Sequence, residues 1–388
     1  MKILMINVVC GIRSTGRICT DLATALEAKG HEVKIAYGRE NVPEKYKKYA
    51  VRIGTELDVK LHGIRARMFD ECGFGSNRIT EKFIKWIKKY DPDVIHIHNV
   101  HGYYINIKIL FDYLRTCGKK IIWTLHDCWA FTGHAAYCEA ANCERWETGC
   151  HNCPKRMDYP ISFKDNSKYN WIKKKKLFSK IPNLKIVTPS EWLASLVKKS
   201  FLSQYEVNVI HNGVDTKVFK PIESDIKKKL GLFDKKIILG VAALWEKRKG
   251  LHDFYKLADI LNDEYKIVLV GLSKEQINKL PSNIVGIERT DSVQELVELY
   301  SAAYVYVNLT YEDNYPTTNL EAIACGTPVI TYDAGGSGES AQIFGYVVKK
   351  GRIEDIVKMI RGVPNMLQKD SQIDSINFNK AYMEIYET

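Results

Sequence analysis

Residues 311–330 read YEDNYPTTNLEAIACGTPVI, and this stretch decides how the rest of the chain is read. The run before it, YVYVNL at 304–309, has the β-branched and aromatic character of a buried strand. A loop of acids and amides follows. Pro316 with Thr317 and Thr318 suits a helix start, and Gly326-Thr327-Pro328 stops that helix. Val329 and Ile330 then open a second buried strand. The order is strand, loop, helix, tight turn, strand, so the polar loop falls at the C-terminal edge of a parallel sheet. Ligands of open α/β sheets bind at that edge, and a helix N-terminus there favours phosphate. Acidic side chains beside a phosphate site fit a ligand that also carries hydroxyls, such as a sugar.

The same alternation runs outward in both directions. Strands are expected at 2–8, 32–37, 93–98, 120–125 and 185–188, with helices at 20–29, 78–89 and 107–116. A further helix starts after Ser190, a suitable N-cap. A short strand at 207–210 and a turn-rich stretch at 211–221 read as a linker. Beyond it, strands at 236–241 and 266–271 alternate with helices at 251–261 and 293–301. The reading is an α/β protein of two doubly wound halves, residues 1–205 and 206–365, with a helical segment at 366–388 that returns to the first half.

With 388 residues the chain has ample core for two or three domains. Hydrophobic content of 45% and charged content of 27% are those of a soluble globular protein. No run reaches the roughly 18 apolar residues of a membrane helix. The N-terminus enters a strand pattern directly, without a signal-peptide cleavage region, so a cytoplasmic location is expected.

The net charge of +11 is uneven: residues 1–200 hold 35 Lys and Arg against 20 Asp and Glu, and residues 201–388 hold 22 against 26. The densest run is Lys173 to Lys176, with Lys164, Lys168, Lys180 and Lys185 nearby. No zinc finger or RNA-recognition signature supports nucleic acid as its partner. Peripheral contact with an anionic membrane surface at the inner face of the cell membrane is expected instead, beside the alternative of a solvated helix face.

The loop 311–330 resembles the retaining family-4 glycosyltransferases, which carry two acidic residues separated by seven positions. Glu321 fits the second, and eight residues back stands Asp313, with Glu312 beside it. The wording of 312–322 is similar to glycosyltransferases of capsular, exopolysaccharide and colanic-acid type. Asn212-Gly213-Val214-Asp215 followed by Phe219 and Pro221 resembles the interdomain hinge of the same family. The resemblance implies the GT-B fold, two Rossmann-like domains facing across a cleft.

It also implies site roles. The first carboxylate, Asp313 or Glu312, holds donor-sugar hydroxyls, and Glu321 holds the nucleotide ribose. Lys249-Gly250 matches a Lys-Gly that binds the donor diphosphate. The family's Arg, five residues before that Lys, is Leu244 here, so Arg248 or Lys247 takes its place. Asn314 and the helix-start amides near Pro316, Thr317, Thr318 and Asn319 complete the diphosphate site. Arg289 lies in a loop that reads the base through its backbone. His126 ends a strand and meets the donor sugar or the positive charge that develops on it. The N-terminal loop with Gly11, Ser14, Thr15 and Gly16 faces the donor, and Ser14 or Thr15 suits a helix cap. Its spacing is not the dinucleotide fingerprint G-x-G-x-x-G.

The implied reaction is retaining transfer from a nucleotide-diphosphate sugar to a glycan or lipid-diphosphate-linked saccharide. A UDP-sugar is favoured and a GDP-sugar stays open. No catalytic metal is implied, since Asp91-Pro92-Asp93 reads as a turn before a strand. Two other readings keep the same residues: a nucleotide-sugar epimerase or hydrolase, and a non-catalytic nucleotide-sugar or glycan-binding module.

Four of the ten cysteines cluster in a loop-like insert at about 128–160, as Cys138, Cys143, Cys150 and Cys153. One pair has C-x2-C spacing, which suits a structural zinc ion, with His134 and His151 as alternative ligands. Free thiols and a disulfide are the other readings.

Overall fold

The computed structural model describes residues 1–363 and 373–387. Residues 366–372 of the expected C-terminal segment therefore lie outside the described residues. Two compact units form: Met1–His211 with Asn379–Thr388, and Asn212–Phe378.

The first unit holds seven strands: β1 (Lys2–Asn7), β2 (Glu32–Tyr37), β3 (Ala50–Arg52), β4 (Val94–Ile97), β5 (Lys120–Thr124), β6 (Leu184–Thr188) and β7 (Val207–Val209). They pair in the order β3-β2-β1-β4-β5-β6-β7, all parallel. Helices cover both faces of such a sheet, which is why its central strands are apolar on both sides. Ile3, Leu4, Met5 and Ile6 are fully buried. The segment 207–210, read from sequence as part of the linker, instead supplies an edge strand of this sheet.

The second unit holds β8 (Lys236–Val241), β9 (Tyr265–Val270), β10 (Ile284–Ile287), β11 (Val305–Asn308), β12 (Val329–Tyr332) and β13 (Gly345–Val348). Their order is β10-β9-β8-β11-β12-β13, again parallel. In each sheet the winding reverses once, between β1 and β4 and between β8 and β11. The loops leaving those strands therefore diverge, and the gap between them is the usual ligand position of a doubly wound sheet.

The helix Ser375–Glu387 begins in the second unit, and its residues from Asn379 belong to the first. There Tyr382 bonds the Thr124 hydroxyl at 2.8 Å, and Tyr386 bonds His96 Nδ1 at 2.6 Å. Among the described residues no helix is long and apolar enough to cross a membrane.

Candidate functional site

In the second unit the sequence-predicted residues other than Arg289 lie on the segments that follow β8 and β11, either side of the gap between those strands. β8 leads into a short turn of helix at Lys247–Lys249, and β11 leads into the loop before the helix Thr317–Ala324. Lys249 Nζ lies 2.5 Å from Asp313 Oδ2, joining the two loops across the gap. Arg248 adds a guanidinium bond to the Glu312 carbonyl at 3.2 Å, and the Arg248 carbonyl accepts from the Tyr311 N–H at 2.7 Å. Burial pushes the Asp313 carboxyl up, but the Lys249 and Arg248 cations outweigh it and hold the group below the ordinary carboxylate value. Asp313 is therefore an anion with a cation already beside it. Glu312 is buried, with its backbone carbonyl turned to Arg248.

Gly250 shows why Lys-Gly belongs at this turn. Its φ is +74°, and a Cβ there would stand 2.1 Å from the Leu309 carbonyl oxygen, so only glycine lets the turn press against the end of β11.

Pro316 is the N-cap of Thr317–Ala324, so Thr317 and Thr318 occupy its first turn. Asn314 N–H closes onto Asp313 Oδ1 at 2.9 Å. Glu321 sits one turn further in, 2% exposed, and its Oε2 accepts from the Tyr300 hydroxyl at 3.0 Å. Asn319 is expected to act through the amides of the helix start, and its side chain has a separate role. Its side chain is fully buried, with Oδ1 accepting from Asn308 at 2.9 Å and Nδ2 donating to Ser340 Oγ at 2.9 Å. It braces the helix start against β11 and the Ser337–Ala341 helix. Arg289 is exposed, just beyond the end of β10.

In the first unit the loop after β1 carries Gly11 at φ +74°. The helix expected at 20–29 starts earlier, at Arg13, and Ile12 is its N-cap without a side-chain bond. Ser14 and Thr15 are thus first-turn residues, not caps, which corrects the expectation from sequence. Gly16 lies inside the helix, where a Cβ would meet Val9 Cγ2 at 3.0 Å and the Gly11 nitrogen at 3.2 Å. Asn7, which sequence reasoning passed over, ties the loop together. Its Nδ2 donates to the Val9 carbonyl at 2.9 Å, and its Oδ1 accepts from Asn99 N–H at 3.3 Å, joining the loops after β1 and β4. A polar residue ending the run ILMIN was the signal for it.

His126 follows β5. Its Nε2 lies 3.0 Å from His98 Nδ1, and the rings stack at 5.3 Å. Burial lowers the His126 pKa to about 4, a shift that Asp127 opposes and His101 reinforces. His96 is lowered to about 3, again by burial, and His98 also lies well below its ordinary value. His126 is therefore a neutral imidazole near pH 7 and offers a hydrogen bond, not a charge. His101 bonds Asp127 Oδ2 at 2.9 Å and the Tyr159 hydroxyl at 3.0 Å, so it fastens the insert to the loop after β5.

The insert forms two short turns, Glu139–Ala141 and Arg145–Glu147. Cys138, Cys143, Cys150 and Cys153 line one small cavity of about 20 Å³ with His134 and His151. All four are free thiols. His134 Nδ1 is held at 2.5 Å by Asp70 Oδ1. Among the described residues no three His, Cys, Asp or Glu side chains are arranged to hold a metal ion, so the zinc expected from the spacing is not supported.

The model of "Glycosyltransferase Family 4" matches residues 15–218, and that of "Glycosyl transferases group 1" matches residues 222–373. The putative colanic acid biosynthesis glycosyl transferase WcaC of Escherichia coli is 24% identical over 374 residues, 88% of this chain and 85% of that protein. An N-acetylgalactosaminyltransferase of Campylobacter jejuni, named for N,N'-diacetylbacillosaminyl-diphospho-undecaprenol, is 31% identical over 163 residues, 38% of this chain and 42% of that protein. Among solved structures, sucrose-phosphate synthase of Thermosynechococcus elongatus superposes with a TM-score of 0.72 at 16% identity, over 100% of this chain and 98% of that one. HepE of Anabaena, solved with UDP, superposes at 0.67 and 14% identity over 100% of both chains. The fold is GT-B, a pair of Rossmann-like domains.

Proposed function

Because the chain belongs to glycosyltransferase family 4, we propose that it moves a hexose from a UDP-sugar to a lipid-diphosphate-linked saccharide, with retention at the anomeric carbon and no catalytic metal. The observation that carries this reading is the Lys249–Asp313 pair across the β8/β11 gap, in the loop that leads into the helix bearing the buried Glu321. A nucleotide-diphosphate sugar has the chemistry those groups complement. Lys249 and Arg248 hold the diphosphate, together with the amides at Thr317 and Thr318. Glu321, braced by Tyr300, takes the ribose hydroxyls. Asp313 takes hydroxyls of the sugar once Lys249 turns to the phosphate.

In the step itself the bond from the anomeric carbon to the diphosphate oxygen breaks. The bond to the acceptor oxygen forms on the same face, and the acceptor proton passes to the departing phosphate. Lys249 and Arg248 stabilise the charge that develops on that phosphate. His126, being neutral, can accompany the developing oxocarbenium without repelling it.

HepE binding UDP supports the choice of nucleotide, and the Campylobacter relative's name supports a lipid-diphosphate-linked acceptor. The basic first half would meet the anionic inner face of the membrane where such acceptors reside. The test is UDP release from a panel of UDP-hexoses with and without lipid-linked acceptors, with the product's anomeric configuration read by NMR. Acceptor-dependent release with retained configuration is expected. Equal release without acceptor would favour a hydrolase, and nucleotide binding without turnover would favour a binding module.

A further inference from the structure

The helix Glu56–Phe69 carries two apolar stripes, and the core uses only one. Val59, His62 and Ala66 face inward. At 100° per residue, Leu57, Leu61, Ile64 and Met68 form a stripe on the opposite side. They are 64%, 57%, 60% and 50% exposed. The helix cannot turn over to bury them. His62 is fixed inside, accepting from the Gly73 and Gly75 N–H groups at 3.2 and 3.1 Å and bonding Ser76 Oγ at 2.8 Å. Lys60 and Arg67 flank the stripe on one side and Arg65 on the other, all exposed.

A second segment continues this surface. The Arg67 carbonyl accepts from Phe163 N–H at 2.7 Å and from the Ser162 hydroxyl at 3.1 Å, and Asp70 Oδ2 accepts from Asn166 N–H at 2.9 Å. From there Phe163, Tyr169 and Ile172 project outward at 63%, 64% and 51% exposure. Lys164, Lys168, Lys173 and Lys176 surround them, all exposed. An apolar patch of this extent on a soluble unit marks a contact surface. Its rim decides the partner: apolar side chains ringed by lysine and arginine match a bilayer interface with anionic headgroups.

We propose that this face, the Leu57–Met68 stripe with Phe163, Tyr169 and Ile172, seats the protein on an anionic lipid surface. The basic residues meet the headgroups, and the apolar side chains enter the headgroup–acyl boundary. This deepens the reading of a lipid-linked acceptor. It is tested without donor or acceptor, so vesicle binding and sugar transfer fail independently.

The experiment is co-sedimentation of the full chain with vesicles of phosphatidylcholine alone and of equal parts phosphatidylcholine and phosphatidylglycerol. Binding to the anionic vesicles, weakened by added salt, is expected. The double substitution Leu61→Glu, Ile64→Glu should lower partitioning about tenfold or more. Lys164→Glu and Lys168→Glu should each lower it roughly fivefold. All four positions are exposed, so circular dichroism and melting should match wild type. Absence of binding to anionic vesicles overturns the proposal, as does binding indifferent to these substitutions. A dimer in light scattering that the double substitution dissolves, with no vesicle binding, overturns it in favour of a second copy on this face.

Discussion

Lys249→Ala removes the cation that holds Asp313 ionised, and the structure says what should follow. The two side chains are 20% and 16% exposed at 2.5 Å, between a surface ion pair and a fully buried one. Exposed pairs contribute about 0–1 kcal/mol, and breaking a buried pair costs about 3–5 kcal/mol. Solvent screening at this depth and the remaining Arg248 place the loss at roughly 2 kcal/mol. In a unit of this size that lowers the melting temperature by roughly 4–8 °C.

The sign of the pH dependence sharpens the test. In wild type the Asp313 pKa is lowered, so its contribution is present above the unfolded value of about 4 and lost as pH falls through the folded one. Without Lys249, the burial that raises its pKa meets only Arg248, and the cost of the variant is a cost of keeping a carboxylate. The gap between wild type and Lys249→Ala should therefore be full near neutrality and shrink below about pH 4. Adding Asp313→Asn to Lys249→Ala should recover most of the loss. The assay is differential scanning calorimetry of the three proteins, wild type, Lys249→Ala and the double variant, from neutral to acid pH. A double variant no more stable than Lys249→Ala, or a gap that does not change with pH, refutes the reasoning.

Gly250→Ala should destabilise by about 2 kcal/mol or more, because a positive φ and a contact with the Leu309 carbonyl act together; urea unfolding of that single variant reads it. His96, His98 and His126 are held neutral by burial, so unfolding lets them take up protons. Stability should then fall as pH drops below about 6.5, with His126 contributing on the order of 1 kcal/mol near pH 5. His126→Gln should flatten that part of the melting profile, and an unchanged profile would contradict the neutral imidazole.

How far these features could be read from sequence depends on how local their causes are. The strands β1, β2, β8 and β11 announce themselves as apolar runs, and the helix stop at Gly326-Thr327-Pro328 is set by residues on the spot. Ser190 was legible for the same reason, and its hydroxyl does accept from Leu193 N–H at 3.1 Å. The three-residue strand Ala50–Arg52 gives no period to detect. The helix Glu56–Phe69 hides its inward face, since a histidine stands among its core positions and leucines point outward. Ser14 and Thr15 have cap chemistry, yet the helix starts at Arg13 because the glycine turn brings the chain in earlier.

The site divides along the same line. Asp313, Glu321 and Lys249-Gly250 carry spacing that sequence displays. Tyr300 on Glu321 and Asn7 beneath the glycine loop are long-range partners, visible only after the strands are laid side by side. Asn319 stands at the helix start, where its backbone is legible from sequence, but the bonds of its side chain to Asn308 and Ser340 appear only on folding.

The central claim is a nucleotide site built on Glu321 and Lys249 in the second unit. Its most direct test is thermal melting of the purified protein against UDP, GDP, ADP and CMP, repeated with Glu321→Ala. UDP should raise the melting temperature of wild type more than the other nucleotides do, by an increment that grows with concentration. The Glu321→Ala protein should lose most of that rise. No shift with any nucleotide, or an equal shift in the variant, would contradict the account.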